Sequence, residues 1–213
     1  MSNKSSDTKN RILEKAIEAF NRFGFVNIRL QHIADEAGIS VGNLAYHFKN
    51  KDAILEAIYE ELEQSQKDLL SDLKIVPLFI NIDKHIRDTF EIQQKFSFFY
   101  SDTFEILRSF PLIKKQYREY TRWYILQIEN MLAFNVARGT LVPESKERLH
   151  QKLAEQYWMT MELWLYQNRI RTFDEINIEE YVFSVWALLI PYFTHLGNQE
   201  YKQMHLHENF NWF

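Results

Sequence analysis

Residues 29–51 (RLQHIADEAGISVGNLAYHFKNK) predict two short helices joined by a tight turn, and no other segment constrains the fold as strongly. Gly38 ends the first helix, because a residue without a β-carbon readily adopts the positive φ that a helix C-terminus commonly needs. Ser40 follows as an N-cap for the second helix. Small and apolar side chains at helical spacing are expected to face inward: Ile33, Ala34, Ala37, Leu44 and Phe48. The stretch therefore predicts a helix-turn-helix.

The outward face of this segment carries the small, amide, aromatic and cationic side chains that base edges and phosphates require. The candidate DNA-binding residues are Arg29, Gln31, Ser40, Val41, Gly42, Asn43, Ala45, Tyr46, His47, Lys49 and Lys51. Within this set, Tyr46, His47 and Lys51 are expected to touch phosphates, and the smaller side chains of the second helix are expected to face base edges. Because two-helix corners with a glycine turn occur in many helical proteins, the pattern alone leaves a purely structural role open.

The same stretch resembles the N-terminal signature of TetR-type (tetracycline-repressor) transcriptional regulators. The matching elements are Ile33-Ala34, the run AGISVGNL at 37–44 and the run YHFKNK at 46–51, and the resemblance covers roughly residues 8–60. It implies an all-α chain with an N-terminal three-helix DNA-binding head and a C-terminal helical ligand-binding and dimerisation body. Ala45 departs from the family pattern, which often has an aromatic residue after the leucine. The operator of a relative therefore cannot be assigned to this chain.

Composition limits the class of protein. The chain has no cysteine, which excludes disulfides, thiolate zinc sites and thiol-based redox sensing. Residues 1–51 hold eight Lys or Arg and five Asp or Glu, a net charge of +3, whereas the remainder has a net charge of −7. A cationic end on an anionic body directs the first toward phosphates. No apolar run approaches the ~18 residues of a membrane span, so we expect a cytoplasmic protein with no membrane partner.

Hydrophobic spacing predicts helices throughout. Five glycines and four prolines are few, and no segment alternates apolar and polar residues with turn signals at regular spacing, which favours an all-α fold. We predict a DNA-binding domain at 1–50 and a ligand-binding and dimerisation domain at 51–213, with helix 51–73 as a connecting lever. The other predicted helices lie at about 7–24, 83–109, 112–138, 144–170 and 178–196. Pro191 is expected to kink the last helix, and residues 198–213 are assigned no regular structure.

The body carries more aromatic side chains than one core-facing stripe can use. Most of them must belong to the core or to a subunit interface, and the resemblance implies that some line an apolar ligand pocket. The candidate ligand-binding residues are Phe96, Phe99, Tyr100, Phe104, Tyr120, Trp123, Tyr124, Trp158 and Met161. We expect an unidentified small effector that is largely apolar, or cationic and able to stack on aromatic rings.

The two C-terminal helices are predicted to be apolar on two sides, and both sides of such a helix must be buried. One side can face its own domain, and the other can meet its copy across a two-fold axis in a four-helix bundle. The candidate dimer-interface residues are Leu153, Tyr157, Trp164, Leu165, Tyr181, Val185, Leu188, Leu189 and Tyr192.

These features together predict a homodimeric, ligand-responsive transcriptional regulator, with repression favoured over activation, that binds a pseudo-palindromic double-stranded DNA operator. We expect no cofactor, metal site or catalytic residue; a di-iron bundle needs two Glu-x-x-His pairs, and only Glu147 with His150 fits. Two alternatives stay open. One is a small-molecule carrier or protein-interaction adaptor that keeps the head without specific DNA recognition, which Ala45 permits. The other is an all-helical enzyme, which the missing catalytic constellation disfavours.

Overall fold

The computed structural model describes residues 2–171 and 176–208, with side chains described for all of these except 2–4, 72–75 and 205–208. The described chain is all-α, as predicted, and its only extended pairing is one isolated bridge between Leu141 and Phe193. The helices are α1 Ser2–Phe23, α2 Leu30–Glu36, α3 Val41–His47, α4 Lys51–Ile75, α5 Phe79–Lys95, α6 Ser97–Ser109, α7 Pro111–Ala137, α8 Leu149–Arg171, α9 Ile178–Leu189 and α10 His195–Glu208. None of the described helices is both long and apolar enough to cross a membrane.

The chain divides into two compact units. The first contains the chain up to Ser65 together with Ile92–Tyr117, and the second contains Gln66–Glu91 and the chain from Arg118 onward. The first unit therefore includes α6 as well as the three N-terminal helices, and α4, α5 and α7 each contribute residues to both units. The division into a domain at 1–50 and a second at 51–213 stays a prediction.

The core of the first unit is built on one stripe of α1. Ile12, Ala16 and Phe20 repeat every four residues, so they share a face, and each is fully buried. Phe20 meets Phe98 of α6 edge to face, with 5.2 Å between ring centroids. Burying one phenylalanine side chain stabilises a fold by roughly 1.5–3 kcal/mol, so this stripe holds both the short helices and α6 in place.

The second unit has an aromatic core that contains a buried, hydrogen-bonded carboxylate. Asp83 of α5 is buried and accepts hydrogen bonds from Nε1 of Trp186 and Nε of Arg87, both at 2.7 Å. Arg87 also donates to both carboxylate oxygens of Glu179, at 2.6 and 3.0 Å. The buried carboxylate is thus paired and hydrogen-bonded, which offsets its desolvation, and α5 is fixed to α9.

The C-terminal end of the chain differs from its prediction. Helix α9 stops at Leu189 and a 3₁₀ turn, Ile190–Tyr192, follows, because Pro191 lacks the N–H that an α-helix would use. The assignment of no regular structure to 198–213 is wrong up to Glu208, where α10 ends; 209–213 lie outside the described residues. Gly197 makes α10 possible, since a β-carbon there would lie 2.2 Å from the carbonyl oxygen of Thr140.

Candidate functional site

The turn between α2 and α3 has the geometry that the sequence predicts. Gly38 has a φ of +65°, and its N–H donates to the carbonyl of Asp35 at 3.1 Å. The next N–H, of Ile39, donates to the carbonyl of Ala34 at 3.0 Å. These bonds satisfy carbonyls that the end of α2 leaves free, so the chain reverses within two residues.

Helix α3 is fixed at its start by a cap and along one side by burial. Oγ of Ser40 accepts a hydrogen bond from the backbone N–H of Asn43 at 3.2 Å, which confirms Ser40 as the N-cap. Leu44 is fully buried, and Phe48 after the helix is 5% exposed. Because one side of this seven-residue helix is anchored in the core, its other side must face solvent.

The exposed side of α3 presents the residues that the sequence proposes for DNA contact. Gly42, Asn43, Ala45 and Tyr46 of α3 are exposed, as is Lys49 just after it, and Tyr46 is 82% exposed although it is aromatic. Two other candidates, Val41 and His47, are half-buried. An exposed surface of this composition offers an amide for base edges, a methyl group for apolar contact, and hydroxyl and ammonium groups for phosphates.

Two further candidates lie at the start of α2. Arg29 is exposed at the N-cap position, and its backbone N–H donates to Nδ1 of His32 at 3.4 Å. Gln31 is also exposed, but its amide nitrogen donates to Oδ1 of Asp35 at 2.6 Å. A direct DNA contact by the Gln31 amide nitrogen would therefore compete with a bond inside the helix.

Lys51 has intramolecular partners that the sequence does not reveal. Its ammonium donates to the carbonyls of Phe25, at 2.8 Å, and of Val26, at 3.4 Å, and it lies 4.2 Å from the centroid of the Phe25 ring. Partial burial lowers the pKa of Lys51. The group predicted to touch phosphate thus ties the first residue of α4 to the α1–α2 loop, and a phosphate contact would require it to leave both carbonyls.

The cap of α4 was missed by the sequence analysis. Oδ1 of Asn50 accepts a hydrogen bond from the backbone N–H of Ala53 at 2.9 Å. Asparagine is a common residue at the position just before a helix, where its side chain accepts from the N–H three residues later. Asn50 before Lys51 and Asp52 therefore indicates a helix start in the sequence. This cap and the Lys51 contact together fix where α4 begins relative to α3.

A groove of about 650 Å³ opens on the first unit beside α2. The residues that line it come from α1, the following loop and α2: Ala19, Phe23, Asn27, Ile28, His32, Asp35 and Glu36. Two of these carry carboxylates, and negative charge repels phosphate. The groove is therefore no part of the proposed phosphate-contacting surface.

The residues proposed for ligand binding fall into both units. Phe96, Phe99 and Tyr100 are buried in the core of the first unit. In the second unit Tyr120, Tyr124 and Met161 are buried, while Trp123 and Trp158 are partly buried against the same core. Phe104 is 93% exposed, so it lines no enclosed cavity within a single chain. Ligand binding by the remaining residues stays a prediction.

A group of polar atoms lies within the core of the second unit. The hydroxyl of Tyr124 donates to the sulfur of Met161 at 3.1 Å and lies 3.1 Å from Nε2 of His85. Burial lowers the pKa of His85 to about 4 and raises the pKa values of Tyr124, Tyr157 and Tyr181. The imidazole is therefore neutral and the phenols keep their protons near neutral pH.

Two of these phenols have no hydrogen-bond partner among the residues that the structure describes. Within the described part of the chain, the hydroxyls of Tyr157 and Tyr181 and Nε1 of the neighbouring Trp158 are buried and make no hydrogen bond. Buried donors without partners are uncommon in folded proteins, because each one costs desolvation that nothing offsets. Tyr157 and Tyr181 belong to the core of the second unit, and Trp158 packs against it.

The residues proposed for the dimer interface need correction. Most of them are at most 3% exposed within a single chain: Leu153, Tyr157, Leu165, Tyr181, Val185 and Leu189. A side chain that is already buried loses no further surface on association, so these six belong to the chain's own core. The other three candidates, Trp164, Leu188 and Tyr192, are half-buried.

The unpartnered apolar surface of α8 is its other side. The exposed residues there follow one helical face at spacings of four, three and four: Met159, Leu163, Tyr166 and Ile170, each 43–60% exposed. On α9, Phe183 is 58% exposed. The sequence indicated two apolar sides of α8 but could not determine which of them turns inward.

Two protein-family models match the chain. One, described as "Bacterial transcriptional repressor" and named TetR, matches residues 79–201. The other, described as "Bacterial regulatory proteins, tetR family", matches residues 12–58. The second match contains all of α2 and α3 and the start of α4.

Individual proteins similar to this chain in sequence or in structure are also transcriptional regulators. The HTH-type transcriptional regulator RutR of Escherichia coli K12 is 40% identical over 57 residues, which are 27% of this chain and 27% of that protein. A solved TetR-family transcriptional regulator from Marinobacter aquaeolei VT8 is 26% identical, with a TM-score of 0.82 over 92% of this chain and 97% of that one. SmeT, the repressor of the Stenotrophomonas maltophilia multidrug efflux pump SmeDEF, is 20% identical, with a TM-score of 0.62 over 88% of this chain and 91% of that one, and it shares the fold.

Proposed function

We propose that this chain, which belongs to the TetR family of bacterial transcriptional regulators, is a repressor that binds an operator through α3 and releases it when a small molecule binds the second unit. The observation that carries the proposal is the exposed side of α3, which presents Asn43, Ala45 and Tyr46 while Leu44 anchors the opposite side. A protein that binds chromosomal operators works in the bacterial cytoplasm.

The proposed contacts follow from the size and chemistry of α3. A helix of seven residues is about 10 Å long at ~1.5 Å per residue, and an α-helix fits the major groove. The amide of Asn43 can pair with adenine, and the methyl group of Ala45 can lie against a thymine methyl. Tyr46 and Lys49 suit phosphate oxygens. Base contacts by α3 would specify the sequence, and phosphate contacts would fix its position.

A homodimer supplies the second recognition helix. The exposed stripe of α8 that contains Leu163 and Ile170, together with Phe183 of α9, supports association with a second copy. Half-sites one helical turn apart require two copies of α3 about 34–36 Å apart, and a two-fold dimer supplies two copies. Because the protein symmetry is two-fold, the operator is proposed to be a pseudo-palindrome.

The effector is proposed to bind in the aromatic core of the second unit. Tyr120 and Tyr124 supply apolar ring surface there. The hydroxyls of Tyr157 and Tyr181, which have no partner among the described residues, supply hydrogen-bond donors. These groups suit a largely apolar molecule that carries an acceptor oxygen. Binding that favours one conformation would shift operator affinity by roughly 5–150-fold, corresponding to ~1–3 kcal/mol of coupling.

Selection of duplexes from random-sequence DNA, followed by fluorescence anisotropy at several salt concentrations, tests the proposal. We expect the wild-type protein to enrich a pseudo-palindrome and the variant Asn43→Ala to lose preference at one position of each half-site, by ~1–3 kcal/mol. Asn130→Ala is the matched control, because Asn130 is an exposed asparagine of α7 in the second unit. A protein that enriches no sequence, or an Asn43 variant with unchanged preference, contradicts the proposed surface.

A further inference from the structure

We propose that Asn21 of α1 is the positioning residue that couples operator binding by α3 to the first turn of α6. Nδ2 of Asn21 donates to the carbonyl of Lys95 at 2.8 Å. Oδ1 of Asn21 accepts from the backbone N–H of Phe98 at 2.9 Å and from the hydroxyl of Ser97 at 3.1 Å. One side chain thus holds three groups of the α5–α6 junction.

Helix α6 needs this contact because its own sequence provides no cap. Phe96 occupies the N-cap position, and it makes no side-chain capping hydrogen bond. The first N–H groups of a helix have no partner within the helix, so an acceptor must come from elsewhere. Asn21 supplies that acceptor from a position 77 residues earlier in the chain, and α1 therefore caps α6.

Apolar contacts continue from this cap toward the start of α4. Phe20, next to Asn21, meets Phe98 edge to face at 5.2 Å and meets Phe25 edge to face at 5.3 Å. The Phe25 ring in turn lies under the ammonium of Lys51, the first residue of α4. A displacement of the α6 start would therefore disturb the packing beneath the short helices, and the reverse also holds.

Asn21 differs from its aromatic neighbours in exposure. Phe20 and Phe98 are at most 3% exposed, whereas Asn21 lies at the surface. Hydrogen bonds at a surface can be exchanged for bonds to water at small net cost. The cap can therefore open without unfolding the core, which is the property that a coupling contact requires.

Coupling between two sites is reciprocal, and this permits a test that needs no effector. If the cap links α6 to the DNA-binding helices, operator binding must stabilise the cap by the same factor with which the cap stabilises operator binding. This inference rests on the proposed function, since it uses the operator as the ligand. The measurable consequence is slower amide hydrogen exchange of Phe98 in the presence of operator DNA.

The experiment measures hydrogen exchange of peptides covering 97–103, with and without a duplex selected by the wild-type protein. We expect the duplex to slow exchange of Phe98 at least about fivefold in the wild type and less than about twofold in Asn21→Ala. Asn27→Ala is the matched control and should behave as the wild type, because Nδ2 of Asn27 donates to the carbonyl of Phe23 instead. Asn21→Asp should keep the effect, since it keeps the acceptor for Phe98.

Each outcome bears on the proposal. Equal slowing in the wild type, Asn21→Ala and Asn27→Ala, all bound to the duplex, overturns the role of Asn21 and leaves the proposed function intact. If Asn21→Ala does not fold, Asn21→Asp decides: retained slowing supports the cap, and its loss overturns it. A wild-type protein that selects no duplex overturns the proposed function and this inference with it.

Discussion

Replacing Lys51 by methionine separates two roles that a lysine at this position can have. The substitution keeps an unbranched apolar stem but removes the ammonium that donates to the carbonyls of Phe25 and Val26. A hydrogen bond with a charged partner is worth about 1.5–3 kcal/mol, and a cation–π contact at a partly exposed site is worth about 0.5–1 kcal/mol. The bond to Val26 is long at 3.4 Å, and methionine retains part of the packing. We therefore expect a net loss of about 2 kcal/mol.

Thermal unfolding followed by circular dichroism measures this loss. For a chain of 213 residues, 1 kcal/mol corresponds to roughly 2–4 °C, so Lys51→Met should lower the melting temperature by about 4–8 °C. The salt dependence of operator binding provides the second measurement. Because the ammonium of Lys51 is engaged inside the first unit, we expect the slope of log affinity against log salt to stay unchanged.

Lys49 is the matched control, two residues earlier and exposed. Lys49→Met should leave stability within about 0.5 kcal/mol of the wild type and lower the salt slope by about 0.9, the value for one lost phosphate contact. The reasoning is refuted if Lys51→Met melts at the wild-type temperature and lowers the salt slope by about 0.9. Lys51 would then contact phosphate, as the sequence analysis predicted.

Three further predictions concern the second unit. Tyr157→Phe removes a buried hydroxyl that has no partner among the described residues, so urea unfolding should show a stability gain of up to about 1 kcal/mol. A clear loss of stability would show that the hydroxyl is hydrogen-bonded. The pKa of His85 is about 4 in the folded chain and about 6.5 in the unfolded chain, so the unfolded chain binds more protons between these values. The free energy of unfolding should therefore fall as pH falls from 6.5 to 4. His85→Gln should weaken this pH dependence of stability. If the pH dependence is unchanged in the variant, other groups cause it. Leu163→Glu on the exposed stripe of α8 should convert the proposed dimer to single chains in light scattering, whereas Leu126→Glu, at an exposed leucine of α7, should not. If both variants are dimers, the stripe is not the interface.

Features fixed by neighbours in sequence could be predicted. Gly38, Ser40 and Leu44 each have a role that depends on residues within four or five positions: a positive φ after α2, a cap for the N–H three residues later, and one buried side of a short helix. Such interactions recur with the same residue types in any fold, so their spacing alone indicates them. The helix-turn-helix was therefore readable before any tertiary contact was known.

Features fixed by distant contacts could not be predicted. The carbonyls that hold Lys51 lie about 25 residues before it, and the α6 amide that Asn21 caps lies 77 residues after it. A surface lysine and a surface asparagine look the same in sequence whether or not such a partner exists. Helix α10 was missed for the same reason: its glutamate Glu200 accepts a hydrogen bond from the backbone N–H of Phe79, 121 residues away.

Helix α8 shows how one ambiguity affects two functional assignments. Leu153, Tyr157 and Leu165 lie on one side of the helix and Leu163 and Ile170 on another, and apolar spacing alone treats both sides as buried. The side with Tyr157 turns inward because aromatic residues of the second unit cover it, and that contact depends on tertiary packing. The proposed dimer surface consequently moves to the stripe of Leu163. The tyrosines first proposed for that surface become part of the core in which we propose that the effector binds, so Tyr157→Phe should alter effector response and leave dimerisation unchanged.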